Sequence, residues 1–268
     1  MTVEAFLQEQ TRTLHSAGIS SGRLDILILL EDTLRCDRAL ILAHPETMLT
    51  PAQLAKLNKK VMQRAQHLPL AYIRGTTAFY GRNFTVNKHV LCPRPESETM
   101  ISWLKELPLK TSYHLADIGT GSGCLGITAA LECPGTNVLL CDIDPTALAV
   151  ARRNAGRLGA SVKLAQSDLL TNAGKDLDVI LANLPYVPLG GPINDDAAHE
   201  PPLALFGGPD GLDLYRRVWQ QLAERPTVPR YVLTEALPSQ HAELAAIAAS
   251  HGFTLARDDR YIQQFERA

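Results

Sequence analysis

Ala116-Asp117-Ile118-Gly119-Thr120-Gly121-Ser122-Gly123 is the stretch whose reading decides the fold. It ends an apolar run beginning at His114, which reads as a strand, and leads into a helical pattern over residues 123–132. Gly119, Gly121 and Gly123 alternate over five positions, whereas a tight turn by itself needs only one or two glycines. Glycines placed this way let the backbone reach positive φ and approach a ligand closely. The helix that follows offers unpaired N–H donors at its N-terminus.

Working outward from this loop, strand and helix patterns alternate. Strands are expected at His114–Ile118, Asn137–Cys141, Val162–Ala165, Asp178–Ala182 and Arg230–Thr234, with weaker signals at Thr254–Ala256 and Tyr261–Phe265. Helical stretches fall between them, at Glu98–Leu107, Gly123–Glu132, Thr146–Leu158, Leu212–Glu224 and Ser239–Ser250. Such alternation implies an α/β fold: a Rossmann-like, doubly wound, mostly parallel sheet with helices on both faces. Residues 95–268 are assigned to it.

Residues 1–71 carry no strand signal and are expected to form a small all-helical domain. Leu24 to Leu34 is apolar almost all round, as in a helix sandwiched by others. Thr50-Pro51 reads as an N-cap with proline at the first helical position, and Pro69 stops that helix after about His67. Between the two domains, residues 72–94 carry β-formers broken by Gly75, Gly81 and asparagines, and are expected to form a β-hairpin connector ending at Cys92-Pro93-Arg94-Pro95.

Composition bounds the function. With 268 residues and 46% apolar content, a large core is available. The net charge of -2 argues against a protein that grips nucleic acid through its phosphates, so no direct nucleic-acid binding is expected. The five cysteines form no Cys-x-x-Cys pair, so no metal site is expected, and their scatter fits reduced thiols in a cytoplasmic protein. No signal peptide or membrane span is apparent.

Two cofactors compete for the glycine loop. Gly121-Ser122-Gly123-Cys124-Leu125-Gly126 matches the dinucleotide pattern, and Asp142 lies about 20 residues on, where a ribose diol would be bound. Asp117 discriminates between them. A carboxylate there repels a pyrophosphate but suits a cation, such as the α-amino group of S-adenosylmethionine. The loop residues Asp117, Gly119, Thr120, Gly121, Ser122 and Gly123 are therefore read as a methyl-donor site. Asp142 ends the second strand and is the ribose ligand of choice. Asp144 precedes Pro145 and reads as a helix cap. Asp168, after the third strand, is a candidate for the adenine amine, with Leu169 packing on the ring.

Asn183-Leu184-Pro185-Tyr186 follows the apolar run 177–182. An asparagine at a strand end, a proline turn and an aromatic suit the holding of a planar –NH₂ group. The Asn183 side chain and the Leu184 carbonyl would accept its two hydrogens, and Tyr186 would offer a face. Amide and aromatic amines are poor nucleophiles and must be oriented before they react. The same tetrapeptide is also compatible with a strand-ending turn.

Together these segments resemble the release-factor glutamine methyltransferases (the HemK/PrmC family) among the class I S-adenosylmethionine-dependent methyltransferases. The likeness rests on Leu68-Pro69-Leu70-Ala71-Tyr72-Ile73-Arg74-Gly75, on Phe79-Tyr80-Gly81, and on Val90-Leu91-Cys92-Pro93-Arg94-Pro95-Glu96-Ser97-Glu98. It also rests on the loop 117–123, on Glu200-Pro201, and on Ala204 through Leu212. The resemblance implies a helical N-terminal domain that recognises a class 1 peptide chain release factor. It further implies an enzyme that methylates the Gln of a Gly-Gly-Gln motif and releases S-adenosylhomocysteine; a cytoplasmic monomer is expected. By resemblance, Asn183, Leu184, Pro185 and Tyr186 form the catalytic motif, and Asn183 also borders the cofactor.

The chain departs from the family at several positions. Leu184 stands where the family has proline in Asn-Pro-Pro-Tyr. Asn-Leu-Pro-Tyr occurs in some rRNA adenine methyltransferases, so methylation of an adenine amine in nucleic acid is the enzymatic alternative. A non-catalytic cofactor-binding module is the other. The family often carries an aromatic where Leu169 stands, and it has Glu-x-Gly where this chain has Glu235-Ala236-Leu237.

Overall fold

The computed structural model describes residues 1–268, which divide into two compact units. The first comprises Met1–Gly75 together with Asn194–His199; the second comprises Thr76–Ile193 and Glu200–Ala268.

The first unit is built from α1 (Val3–Ser16), α2 (Gly22–Leu34), α3 (Arg38–Ala43), α4 (Pro51–Ala65) and α5 (Leu70–Arg74). Helix starts are set by side chains that accept otherwise unpaired backbone N–H groups. The Thr2 hydroxyl accepts from Ala5 N–H (3.2 Å), and Asp37 accepts from Leu40 N–H (2.8 Å). Thr50 and Gln53 form a reciprocal capping box with Pro51 at the first helical position. The core gathers Phe6, Leu14, Ile26, Leu29, Leu30 and Leu57. Helices α1 and α2 approach closely at Gly22, where an added Cβ would lie 2.9 Å from Leu14 Cβ. The α2 helix buries Ile26, Leu27, Leu29 and Leu30, but Leu24 is exposed.

Two arginines fasten this unit. The buried Arg64 donates through Nε to the buried Asp25 (2.7 Å), joining α4 to α2, and through Nη1 to Asp196 (2.8 Å). Arg74 makes a two-pronged contact with Asp32, at 2.8 and 3.0 Å. That contact helps explain why Tyr72-Ile73-Arg74, expected in the hairpin, is instead helical. Pro69 starts the short α5, Gly75 ends it at φ 74°, and Arg74 is tied to α2.

The second unit opens with an antiparallel hairpin, β1 (Thr76–Phe79) and β2 (Arg82–Thr85), turned at Tyr80-Gly81 with both φ values positive. After α6 (Glu98–Glu106) come β3 (His114–Ile118), α7 (Cys124–Glu132), β4 (Asn137–Asp142), α8 (Pro145–Leu158), β5 (Val162–Gln166) and β6 (Val179–Ala182). The chain finishes with α9 (Asp213–Ala223), β7 (Tyr231–Glu235), α10 (His241–Ser250), β8 (Phe253–Asp259) and β9 (Ile262–Arg267). The strands lie in the order β5-β4-β3-β6-β7-β9-β8. The first five are mutually parallel, and β9 runs antiparallel to both β7 and β8. The two weak C-terminal strand signals thus become a long closing hairpin.

Burial follows the pleat, because successive strand residues point to opposite faces. In β6, Ile180 and Ala182 face a cluster with Tyr215, Val218 and Trp219 of α9, while Val179 and Leu181 face Met100, Ile101 and Ile127 of α6 and α7. Trp219 sits edge-on to Phe253 and Phe265 at 4.9 and 5.5 Å. From β3 the chain winds outward to β5 and then returns to β6 on β3's other side. That reversal opens a crevice at the carboxyl ends of β3 and β6, where doubly wound sheets bind ligands. None of the helices is long and apolar enough to cross a membrane.

Removing Arg64 leaves Asp25 buried without its cation. Arg64→Ala is expected to destabilise the helical unit by roughly 3 kcal/mol, and Asp25→Leu combined with Arg64→Met to recover most of that loss. Urea unfolding of the full chain measures both; an Arg64→Ala loss below about 1 kcal/mol, the range of exposed pairs, would contradict it.

Candidate active site

The crevice holds a cavity of about 210 Å³, walled by the loop 119–122, Asp117, Asp142, Asp168, Leu169 and Asn183–Pro185. Residues 89–91, Pro93, Arg94 and Ser97 approach from the hairpin side, and Leu203, Ala204 and Arg217 from the far side. The sequence candidates from four strand ends therefore meet at one place.

At the end of β3, Gly119, Gly121 and Gly123 all take positive φ (70°, 53° and 82°). The loop is pinned from three directions. Asp117 Oδ2 accepts from the Thr120 hydroxyl (2.6 Å) and from Gly126 N–H in α7 (2.9 Å). Asp142 Oδ2 accepts from Gly121 N–H (2.8 Å), while its Oδ1 accepts from Asp144 N–H (3.0 Å). Asn154 of α8, fully buried, donates to the Ser122 carbonyl and exchanges two hydrogen bonds with Thr85 of β2. Gly126 permits this packing, since a Cβ there would stand 2.2 Å from Leu140 Cδ2 and 2.9 Å from Asp117 Cβ.

These contacts give the carboxylates distinct electrostatics. Burial pushes the Asp117 carboxyl up to about 6, against the Thr120 and Gly126 hydrogen bonds that hold it down and with the nearby Asp142 charge adding to the rise. Burial also raises Asp142, opposed by the amides of Asp144 and Gly121. A cation beside Asp117 would relieve that cost. Cys124 lines the same cavity, and burial pushes its thiol up to about 12, so it is a neutral, weakly nucleophilic group at neutral pH.

Asp144 caps α8 by accepting from Thr146 N–H (2.7 Å), as its position before Pro145 implied. Asp168 is exposed at the cavity rim and pairs with Arg217 of α9 (2.5 Å). Leu169 is buried with φ 52°, a costly conformation for a non-glycine residue. It is held by the Ser167 hydroxyl donating to its carbonyl (2.8 Å) and by Gln221 accepting from Leu170 N–H (2.8 Å).

At the end of β6, Asn183 donates through Nδ2 to Ser97 Oγ (3.0 Å), and its Oδ1 is a buried acceptor with no partner. Leu184 is buried, its side chain against Gly119 and its N–H bonded to the Tyr215 hydroxyl (3.3 Å). Tyr215, fully buried, also bonds the carbonyls of Ala182 and Glu235, so one phenol ties the ends of β6 and β7. Tyr186 lies outside the cavity lining, and its hydroxyl donates to Glu235 (3.1 Å).

Glu235, at the end of β7, is 2% exposed. Burial raises its carboxyl, while hydrogen bonds from Ser97, Tyr186 and Asn183 hold it down. Arg94 pairs with the buried Glu200 (2.7 Å) and fixes the segment that re-enters this unit.

Sequence reading gave no role to Ser97, Glu235, Tyr215, Asn154 or Arg217. A usable signal existed for two of them. Glu235 is a charged residue closing an apolar strand, and Ser97 lies within Pro93-Arg94-Pro95-Glu96-Ser97-Glu98. The others act from helix interiors, where pattern is silent.

The winding of the sheet, its antiparallel last strand and a polar strand end beside a glycine loop define a class I methyltransferase. Solved structures share that fold: a methyltransferase from Pyrococcus furiosus (17% identity, TM-score 0.51, covering 81% of this chain and 97% of that one) and the hMettl16 catalytic domain in complex with MAT2A 3′UTR hairpin 6 (15%, TM-score 0.55, 81% of each). In sequence, residues 5–75 match the PrmC N-terminal domain and residues 97–200 the methyltransferase small domain. The chain is 38% identical over 235 residues to the release factor glutamine methyltransferase of Koribacter versatilis, covering 83% of each. It is 30% identical over 256 residues to that of Deinococcus radiodurans, covering 94% of this chain and 92% of the relative. The chain belongs to the release factor glutamine methyltransferase family.

Alanine normally stabilises a helix relative to glycine by up to about 1 kcal/mol. Gly126→Ala is expected to do the opposite, with a loss of about 1–3 kcal/mol from the overlap with Leu140 and Asp117. Thermal unfolding decides; a raised melting temperature would contradict it.

Proposed function

We propose that the enzyme transfers the methyl group of S-adenosylmethionine to the side-chain amide nitrogen of the glutamine in a Gly-Gly-Gln motif of a class 1 peptide chain release factor. The observation that carries this reading is that Asn183, a residue walling the cavity shared with the glycine loop, has a buried Oδ1 with no partner. A buried acceptor without a donor costs about 1–3 kcal/mol. An –NH₂ group of a bound substrate would satisfy it.

The residues present fit the methyl donor. Asp117 is a buried carboxylate whose cost a cationic α-amino group would offset, and the loop backbone is open enough for close approach. Asp142 supplies lone pairs for a ribose diol, Asp168 an acceptor at the rim, and Leu169 an apolar surface. Bound there, S-adenosylmethionine supplies an activated methyl on a sulfonium, which requires no nucleophilic residue from the protein.

The protein's own task is orientation. An amide nitrogen is a poor nucleophile because its lone pair is delocalised into the carbonyl. Asn183 Oδ1 and the Leu184 carbonyl would each accept one N–H of the substrate amide. The two bonds fix the amide plane and stabilise the positive charge that develops on its hydrogens. Leu184 contributes through its backbone, so replacing the family's proline keeps the acceptor; its buried side chain and its N–H bond to Tyr215 hold the turn instead.

Incubation with labelled S-adenosylmethionine, a release factor and its Gly-Gly-Gln→Gly-Gly-Ala variant tests the assignment. Label is expected on the first only; label on both, or only on added RNA, would overturn it. Asn183→Ala is expected to lower kcat on the order of 10²–10³-fold with a much smaller change in S-adenosylhomocysteine affinity, read by calorimetry; retained turnover contradicts the role given to Asn183.

The Asp117 carboxyl is neutral below about 6 and charged above it. Attraction for an ammonium group is therefore lost as pH falls through that value. S-Adenosylhomocysteine is expected to bind on the order of tenfold more weakly at pH 5 than at pH 7, and Asp117→Asn to flatten the profile. An unchanged profile in that variant would place the titrating group elsewhere.

A further inference from the structure

An asparagine side chain has two ends of nearly equal size, one a donor and one an acceptor. Only the acceptor end can hold an –NH₂ group. Something must therefore decide which end of Asn183 faces the cavity, since Asn183 lies in a half-buried loop and each orientation fits sterically.

Ser97 touches Asn183, but a hydroxyl by itself does not discriminate, because it can donate as well as accept. What removes the ambiguity is Glu235, which bonds both Ser97 and Asn183. The Ser97 hydroxyl donates to Glu235 Oε2 at 2.5 Å, and both residues are almost fully buried. Tyr186 donates to Glu235 Oε1 at 3.1 Å. A carboxylate has no hydrogen to give and takes one from each neighbour. The single hydrogen of Ser97 is thus committed to Glu235, leaving only lone pairs toward Asn183. The Asn183 Nδ2 group donates to them at 3.0 Å and also to Glu235, which leaves Oδ1 as the buried end without a partner.

We propose that Glu235 and Ser97 are positioning residues that set the donor–acceptor direction of the Asn183 amide, so that an acceptor always faces the substrate amine. This inference rests on the role given to Asn183 above. The hydrogen bonds from Asn183 to Ser97 and Glu235, and from Ser97 to Glu235, span two strand ends and the turn before α6, so three distant stretches of sequence converge here. It also assigns a purpose to an expensive arrangement, since a buried carboxylate at a strand end is costly unless its bonds serve something. Glutamine at 235 would present one donor and one acceptor. It could then satisfy Ser97 or Tyr186 in the native sense but not both.

The test is steady-state kinetics of the full-length enzyme on its release factor, with S-adenosylhomocysteine affinity measured alongside. Ser97→Ala and Glu235→Gln are expected to lower kcat by up to about 100-fold through misplacement of the amide, with S-adenosylhomocysteine binding changed less than about threefold. Ser97→Thr keeps the hydroxyl and is expected to stay within about threefold of the parent. Because Ser97 acts through Asn183, Ser97→Ala added to Asn183→Ala is expected to cost nothing more. Additive losses in that pair, or an Ser97→Ala enzyme with full kcat beside an inactive Asn183→Ala enzyme, would overturn this proposal alone. Full activity of Asn183→Ala would instead overturn the role of Asn183 itself.

Discussion

One buried carboxylate organises the catalytic unit. Asp117 lies near the end of β3, inside the sheet, and accepts hydrogen bonds from the Thr120 hydroxyl and the Gly126 amide through one oxygen. The first bond closes the glycine loop on itself, and the second sets the start of α7 against the strand. The approach is so close that no side chain fits at Gly126. A charge removed from water is tolerated only when bonded, and here two bonds hold down a carboxyl that burial pushes up to about 6. The remaining electrostatic cost would be relieved by a cation placed beside it.

The same logic recurs two strands away. Glu235, Ser97 and Asn183 form a second buried polar chain whose hydrogens all run one way, ending in an acceptor without a partner. Tyr215 ties the backbone beneath it by bonding the carbonyls of Ala182 and Glu235 and the Leu184 amide. Apart from that one acceptor, the buried polar groups here are held by several neighbours, which restricts their orientation. The methyl-donor side and the amine side share the Leu184–Gly119 contact, so the proposed donor and acceptor groups are built on one packed base.

Much of this was legible before any coordinates. The alternation of strand and helix patterns from residue 95 onward gave the parallel sheet, because buried parallel strands read as short apolar runs. The glycine spacing gave the loop, and the cap at Asp144 followed from Pro145. Other features were not legible. Residues 72–74 read as β-formers but fold as α5, since Pro69, Gly75 and the Asp32–Arg74 pair outweigh local propensity. Leu169 adopts a left-handed conformation that no leucine advertises. Asn154, Tyr215 and Arg217 act across 20 to 69 residues of sequence, and nothing local distinguishes them from ordinary helix residues.

The sequence by itself determined the period of burial along each element, the backbone freedom of the glycine loop and the chemical types available at each strand end, because these are properties of single residues and their nearest neighbours. Only the tertiary structure decided which of those groups face one another. It paired Asp117 with Gly126, Asp142 with Gly121, and Ser97 with both Asn183 and Glu235. The direction of a hydrogen bond depends on what its partner is already bonded to, so the acceptor that Asn183 presents is a property of the assembled chain of contacts and of no residue within it.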